Sequence, residues 1–201
     1  MGGELVGMLG TETTASDSLD YVGTSVRLAR VGRSAYEPFE PGHPLCFSEP
    51  CTGWARVRFD VGLELRKGWI RQYQGPAPLG EWDGISNYCV IGTAGGLAAF
   101  ARGYLEGSSP GGGGRGGIFL EGRVGTLRMT RVPDVSGPRL APGPERASDR
   151  TTAVTGDLRL GAEIGTATVF TSFGGGAGVL VGADASRMWN VSIFLTLGLR
   201  R

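Results

Sequence analysis

The chain has 201 residues, and 37 of them are glycine, which is more than twice the ordinary share of about 7 %. The glycines follow no Gly-X-Y repeat, which excludes a collagen, and the 40 % of hydrophobic residues is too high for a disordered chain. The 20 basic and 19 acidic side chains leave a net charge of +1, so we expect no nucleic acid partner.

Apolar and polar residues alternate at every second position along most of the chain, and this pattern predicts strands rather than helices. Eight strands are predicted, at residues 4–13, 24–35, 54–71, 88–102, 117–132, 154–164, 177–185 and 189–200. A turn is expected at the glycines 174–176, before the seventh strand. The connections are too short for a crossover helix, so the strands should be antiparallel, within one domain of residues 1–201.

Three predicted strands have two clearly different faces. In the third strand the apolar face consists of Val57, Phe59, Val61, Leu63 and Leu65. Its polar face carries Arg56, Arg58, Asp60, Gly62, Glu64 and Arg66. The last strand has an apolar face that includes Val191, Ile193, Leu195 and Leu197. The strand at 154–164 has a polar face that includes Asp157, Arg159 and Glu163.

Two architectures explain such strands, and they differ in where the apolar face points. In a soluble β-sandwich or jelly roll it faces the core, whereas in a membrane barrel it faces lipid. The best strands reach the nine to eleven residues, roughly, that a tilted strand needs to cross a bilayer. Glycine among the charged residues would leave room inside a narrow barrel for long side chains. Outer-membrane barrels carry girdles of aromatic residues at both membrane interfaces. Six aromatic residues lie near predicted strand ends, where such a girdle would be: Trp54, Trp69, Tyr73, Tyr88, Tyr104 and Trp189.

The closing segment 187–200, RMWNVSIFLTLGLR, resembles the last strand of small bacterial outer-membrane β-barrels of the OmpA/OmpX-like kind. The segment 156–164 is similar in style. The resemblance implies an eight-stranded up-and-down barrel whose interior is filled by side chains and is too narrow for an open channel. It also implies an envelope scaffold, an adhesin or a small-solute conduit, and in a few members a lipid-modifying enzyme.

On this basis we expect a bacterial outer-membrane barrel with a structural or transport-accessory role, in contact with membrane lipid and with other envelope proteins as possible partners. The N-terminus lacks the basic and apolar regions of a secretory leader, so we expect that a leader has been removed. The expected charge network of the interior consists of Arg56, Arg58, Asp60, Glu64, Asp157, Arg159 and Glu163. The expected lipid-facing residues are Val57, Phe59, Val61, Leu63, Leu65, Val191, Ile193, Leu195 and Leu197.

Two alternatives remain open from the sequence. One is a soluble extracellular or capsid-like β-sandwich that binds a ligand or forms a shell. The other is a lipid-modifying enzyme, for which His43 would be the only histidine base, although no Gly-x-Ser-x-Gly motif accompanies it. The carboxylates Asp60, Glu64, Asp157 and Glu163 each lie near an arginine on the same face, so ion pairing explains them better than catalysis, and no catalytic residue is assigned.

The cysteines indicate an oxidising compartment. Cys46 and Cys51 are separated by four residues in a loop bounded by prolines, and we expect a disulfide between them. Cys89 lies in an apolar stretch and should be a buried thiol. With His43 as the only histidine, a zinc site would lack a fourth ligand, so neither a metal nor a cofactor is expected.

Overall fold

The computed structural model describes residues 4–16, 20–33, 37–38, 54–73, 88–108, 114–131, 150–182 and 187–200. Its strands are β1 (Glu4–Ser16), β2 (Asp20–Arg33), β3 (Glu37–Pro38), β4 (Trp54–Tyr73), β5 (Tyr88–Ser108), β6 (Arg115–Arg131), β7 (Arg150–Gly165), β8 (Val169–Gly182) and β9 (Arg187–Arg200). None of the described residues forms a helix long and apolar enough to cross a membrane.

The eight long strands close into a barrel. Each pairs antiparallel with its neighbours, β2 pairs directly with β4, and the last strand β9 pairs with the first strand β1. The two-residue strand β3 only extends the pairing at the beginning of β4. The fold class is therefore an all-β, eight-stranded antiparallel barrel, as predicted, and the alternative of a two-sheet sandwich or jelly roll is wrong.

The stagger of the strands determines the width of the barrel. The cross-strand register can be followed once around, through Val6, Ala29, Gly62, Phe100, Arg123, Asp157, Gly178, Asn190 and Ser16. This path returns to β1 ten residues beyond its start. With a rise of about 3.3 Å per residue and strands about 4.8 Å apart, this stagger tilts the strands by about 40° from the barrel axis. An eight-stranded barrel of this kind is just wide enough for side chains to fill it.

The two ends of the barrel are named here by the chain termini. The terminal end is where β1 begins and β9 finishes, so it also holds the beginning of β4 and the connection between β7 and β8. The far end is where β1 finishes and β2 begins, and it also holds the last residues of β4, β6 and β8.

The predicted turn at glycines 174–176 is wrong, because these residues lie within β8. They pair with Gly161, Leu160 and Arg159 of β7. The turn lies earlier, where the Thr166 amide donates to the Val169 carbonyl at 2.7 Å. Glycine is needed at the inward position 176 because a side chain there would place its Cβ 2.6 Å from Cγ of Arg159.

Strand β5 extends beyond its predicted end at residue 102 and runs to Ser108. This extension places Tyr104 and Glu106 within the barrel wall, with their side chains buried. The expected role of Tyr104 in an aromatic girdle is therefore wrong, because only 3 % of its surface is exposed.

Candidate functional site

The alternation along the strands separates an apolar outer surface from a charged interior. The nine residues expected to face lipid all point outward, with exposed fractions between 41 % and 66 %. The seven residues expected to form the interior charge network all point into the barrel. Six of them are at most 4 % exposed, and the side chain of the seventh, Asp157, is also 4 % exposed.

Eight further charged residues share this interior and were not assigned to it from the sequence. They are Glu12, Arg27, Arg66, Arg102, Glu106, Glu121, Arg123 and Arg200. Their positions follow from the same rule of alternate residues, applied to the strands whose apolar pattern is weaker. The sequence predicts Arg66 on the polar face of β4, two residues beyond Glu64, although it was not included in the expected charge network.

Charged residues near the terminal end form one group, the terminal cluster, which consists of Arg56, Arg58, Asp60, Glu106, Glu163 and Arg200. Arg58 lies at its centre and donates to Asp60 at 2.9 Å and to Glu163 at 2.9 Å. Arg56 is 2.7 Å from Glu106. Arg200, the last described residue, contacts Glu163 and closes the cluster from β9. The three arginines are thus matched by three carboxylates.

A second group, the central cluster, occupies the middle of the barrel and consists of Glu12, Arg27, Glu64, Arg102, Glu121, Arg123, Asp157 and Arg159. Glu121 accepts hydrogen bonds from Arg27 at 2.9 Å and from Arg102 at 2.6 Å. Arg159 lies 3.8 Å from the same carboxylate and also contacts Glu12.

Arg123 joins the other carboxylates of the central cluster. It donates to Glu12 at 2.9 Å, to Glu64 at 3.1 Å and to Asp157 at 2.8 Å. Four arginines and four carboxylates therefore balance in this cluster. Its partners mostly come from different strands, so the expectation that each carboxylate pairs with a nearby arginine of its own face holds for Asp60 but not for Glu64, Asp157 or Glu163.

Tyr104 connects the two clusters. Its hydroxyl donates to Glu163 at 2.8 Å and accepts from Arg102 at 2.5 Å. Its ring lies 3.6 Å from the guanidinium carbon of Arg58. The phenyl ring of Phe119 is 5.0 Å from the Tyr104 ring and lies under Arg102 at 4.3 Å. Such stacking lets arginine side chains lie against apolar surface while their charges meet carboxylates.

Interior glycines give these rings their space. A Cβ atom at Gly62 would lie 2.9 Å from the Phe100 ring, and one at Gly161 would collide with the Phe119 ring. Phe100 in turn lies 5.0 Å below the guanidinium of Arg27. Glycine on the polar faces therefore accommodates aromatic rings as well as the long charged side chains expected there.

Burying so many charges is costly unless each finds a partner, because removing one ion from water costs several kcal/mol even after relaxation. Every buried arginine except Arg66 has a carboxylate oxygen at 2.9 Å or less. Arg66 is 7 % exposed and makes no ion pair within the part of the chain that the structure describes. Its Nη2 donates to the Thr155 hydroxyl at 2.9 Å.

Several expected features lie outside the described residues. These are the proposed disulfide between Cys46 and Cys51, His43, and the side chains of Cys89, Tyr73 and Tyr88. Within the described ranges, no group of three histidine, cysteine or acidic side chains could hold a metal ion.

Comparison with known proteins finds similar structures but no matching sequence. A scan against models of protein families finds no match, and a search of curated proteins finds none either. The crystal structure of neisserial surface protein A (NspA) is 12 % identical with a TM-score of 0.46, and the alignment covers 100 % of this chain and 96 % of that one. The N-terminal β-barrel domain of Pseudomonas aeruginosa OprF is 10 % identical with a TM-score of 0.39, covering 98 % and 99 %. At this level of similarity, the function has to be argued from the residues of this chain.

Proposed function

We propose that the protein is a bacterial outer-membrane β-barrel with a structural or transport-accessory role, and that its lumen is closed by the two ion-paired clusters. The observation that carries this proposal is the inverted distribution of polarity. Among the described residues, 28 large hydrophobic side chains are exposed, whereas 14 hydrophobic residues are buried and four of those are alanines.

A protein surrounded by water rarely exposes a continuous apolar surface of more than a few hundred Å². Here exposed aliphatic residues occur on all eight long strands, so the apolar surface surrounds the barrel. The outward row of β9, from Trp189 to Leu199, rises by about 25 Å along the axis at the tilt given above. This height agrees with the apolar band of about 25 Å on barrels that cross an outer membrane.

The far end of the outer surface has the residues of a membrane interface. Trp69 and Trp189 are 54 % and 73 % exposed, and they lie at the edge of the apolar band. Outward cations lie near or beyond them towards the same end: Lys67, Arg128, Arg150 and Arg187. Tryptophan prefers the headgroup region, and basic side chains there meet anionic lipid. Two exposed cations, Arg30 and Arg33, lie nearer the terminal end. The long side chain of Arg30 can reach towards the interface, and Arg33 is paired with Glu4.

The same geometry supports the proposal of a closed lumen. The two clusters cross the interior from strand to strand, with Glu12 of β1 bound to Arg123 of β6, and Arg58 of β4 bound to Glu163 of β7. A permeating solute would have to break several buried ion pairs together. This arrangement favours a rigid envelope component over an open pore.

The proposal is tested by placing a charge on the outer surface at two depths. Leu195→Arg puts an arginine in the middle of the apolar band, and Thr152→Arg puts one at the exposed far end of β7. In lipid vesicles we expect Leu195→Arg to reduce the free energy of unfolding by about 2–4 kcal/mol and Thr152→Arg by about 1 kcal/mol or less.

Equal effects of the two substitutions would contradict the membrane location. So would a wild-type chain that stays folded and monomeric in buffer without detergent or lipid.

A further inference from the structure

A cavity of about 70 Å³ lies in the interior at the far end of the barrel. Its walls are mostly apolar and include Ile70, Leu127, Met129, Leu180 and Met188. Arg66 and its hydroxyl partner Thr155 also line it, together with Asp20 and with Glu12, Asp157 and Arg123 of the central cluster. It is therefore an apolar chamber with one side formed by charged groups.

Arg66 is a buried cation with no carboxylate at ion-pair distance among the described residues. The terminal cluster has three arginines and three carboxylates, and the central cluster has four of each, so Arg66 is the additional cation among the described buried charges. Asp20, which is half-buried in the same cavity wall, makes no ion pair with it. Its Nε atom is buried without a hydrogen-bond acceptor. A buried cation that lacks a counterion is costly, and it provides a strong site for an anion of suitable size.

We propose that this cavity binds a small monocarboxylate with an apolar body, whose carboxylate pairs with Arg66. The apolar part would lie against Ile70, Leu127 and Leu180, where it would gain the free energy of leaving water. Glu12, Asp20 and Asp157 in the same wall disfavour a ligand with a second negative charge. The volume admits a chain of a few carbon atoms, and a longer chain would have to extend out of the far end.

The proposal depends on the interior and not on the surroundings of the barrel, so it can fail or succeed independently of the membrane location. The probe is butyrate, titrated into the full chain folded in a zwitterionic detergent and followed by isothermal titration calorimetry. Butan-1-ol has the same chain without the charge, and succinate carries a second carboxylate. We expect saturable binding of butyrate and at least tenfold weaker binding of the other two compounds.

Two variants assign the site. Arg66→Gln removes the cation and should weaken butyrate binding at least tenfold, whereas Arg66→Lys should retain most of it. Lys67→Gln is the matched control, because it removes a positive charge from the next residue, whose side chain is exposed on the outer face. It should leave butyrate binding unchanged.

Thermal unfolding gives a second measurement, which can be made on Arg66→Gln even if this variant does not bind butyrate. Because Arg66 lacks a buried counterion, Arg66→Gln should fold and should melt at a temperature equal to or above that of the wild type. Butyrate should raise the melting temperature of the wild type and of Lys67→Gln, but not that of Arg66→Gln.

Absence of butyrate binding to the wild type would overturn the proposal. Equal binding by Arg66→Gln, equal binding of butan-1-ol, or loss of folding in Arg66→Gln would also overturn it.

Discussion

Arg58 illustrates how single side chains are held in this barrel. Its guanidinium group donates to two carboxylates and lies over the ring of Tyr104, and the residue itself is inaccessible to solvent. Each of these partners comes to the same point because the interior is narrow. The energetic consequence is that the removal of any one partner leaves a buried charge without compensation.

Glu163→Gln tests this consequence. It removes the carboxylate that Arg58 and Arg200 share, so we expect the free energy of unfolding to fall by about 3–5 kcal/mol. The matched control is Glu4→Gln, which removes the carboxylate paired with Arg33 where the side chains are 19 % and 25 % exposed. A pair in that position should contribute about 1 kcal/mol or less.

Both variants can be compared by urea unfolding in lipid vesicles. If Glu163→Gln reduced the free energy of unfolding no more than Glu4→Gln, the interior would have to be more hydrated than the structure indicates, which would contradict the account.

At the scale of the strands, the placement of glycine follows from what lies inside. Gly161 and Gly156 are both in β7, but a Cβ atom at Gly161 would meet the Phe119 ring and the Phe173 carbonyl, whereas one at Gly156 would meet nothing within 4 Å. The same residue type thus has a packing role on the inner face and none on the outer face.

Valine substitutions at these two sites separate the roles. Gly161→Val should destabilise the barrel by about 1–3 kcal/mol, because the Phe119 ring and the adjacent strand must move. Gly156→Val should be neutral or stabilising, because valine is favoured in strands and its side chain would point outward. Unfolding in vesicles measures both, and a larger loss at Gly156 would contradict the assigned faces.

The strands that could be predicted best are those with uninterrupted alternation. In β9 and β4 every aliphatic residue of the alternating row points outward, as expected from the sequence. Strand β8 could not be placed correctly, because three consecutive glycines are typical of a turn when read alone. Glycine is required at position 176 because Arg159 of β7 occupies the space beside it. Such a contact between two strands is not visible in a local sequence pattern.

At the scale of the whole molecule, the alternation of residues predicted which side chains enter the barrel, but not which of them meet. The ion pairs depend on the ten-residue stagger that brings Arg123 of β6 to Glu12 of β1, and residues 111 positions apart have no periodic relation in the sequence. The unbalanced charge of Arg66 has the same origin, since it can be recognised only after the other fourteen charged residues of the interior have been paired.

The central claim is that the apolar rows of the barrel face hydrocarbon, and nitroxide scanning of β9 tests it most directly. Single cysteines would replace residues 191 to 197 in turn, in a chain whose three native cysteines are changed to serine, and the labelled proteins would be studied in lipid vesicles. We expect labels at Val191, Ile193, Leu195 and Leu197 to collide readily with oxygen and poorly with a water-soluble nickel chelate. Labels at Ser192 and Thr196 should be poorly accessible to both. Outward labels that collide with the nickel chelate, or that are shielded from both reagents, would contradict the account.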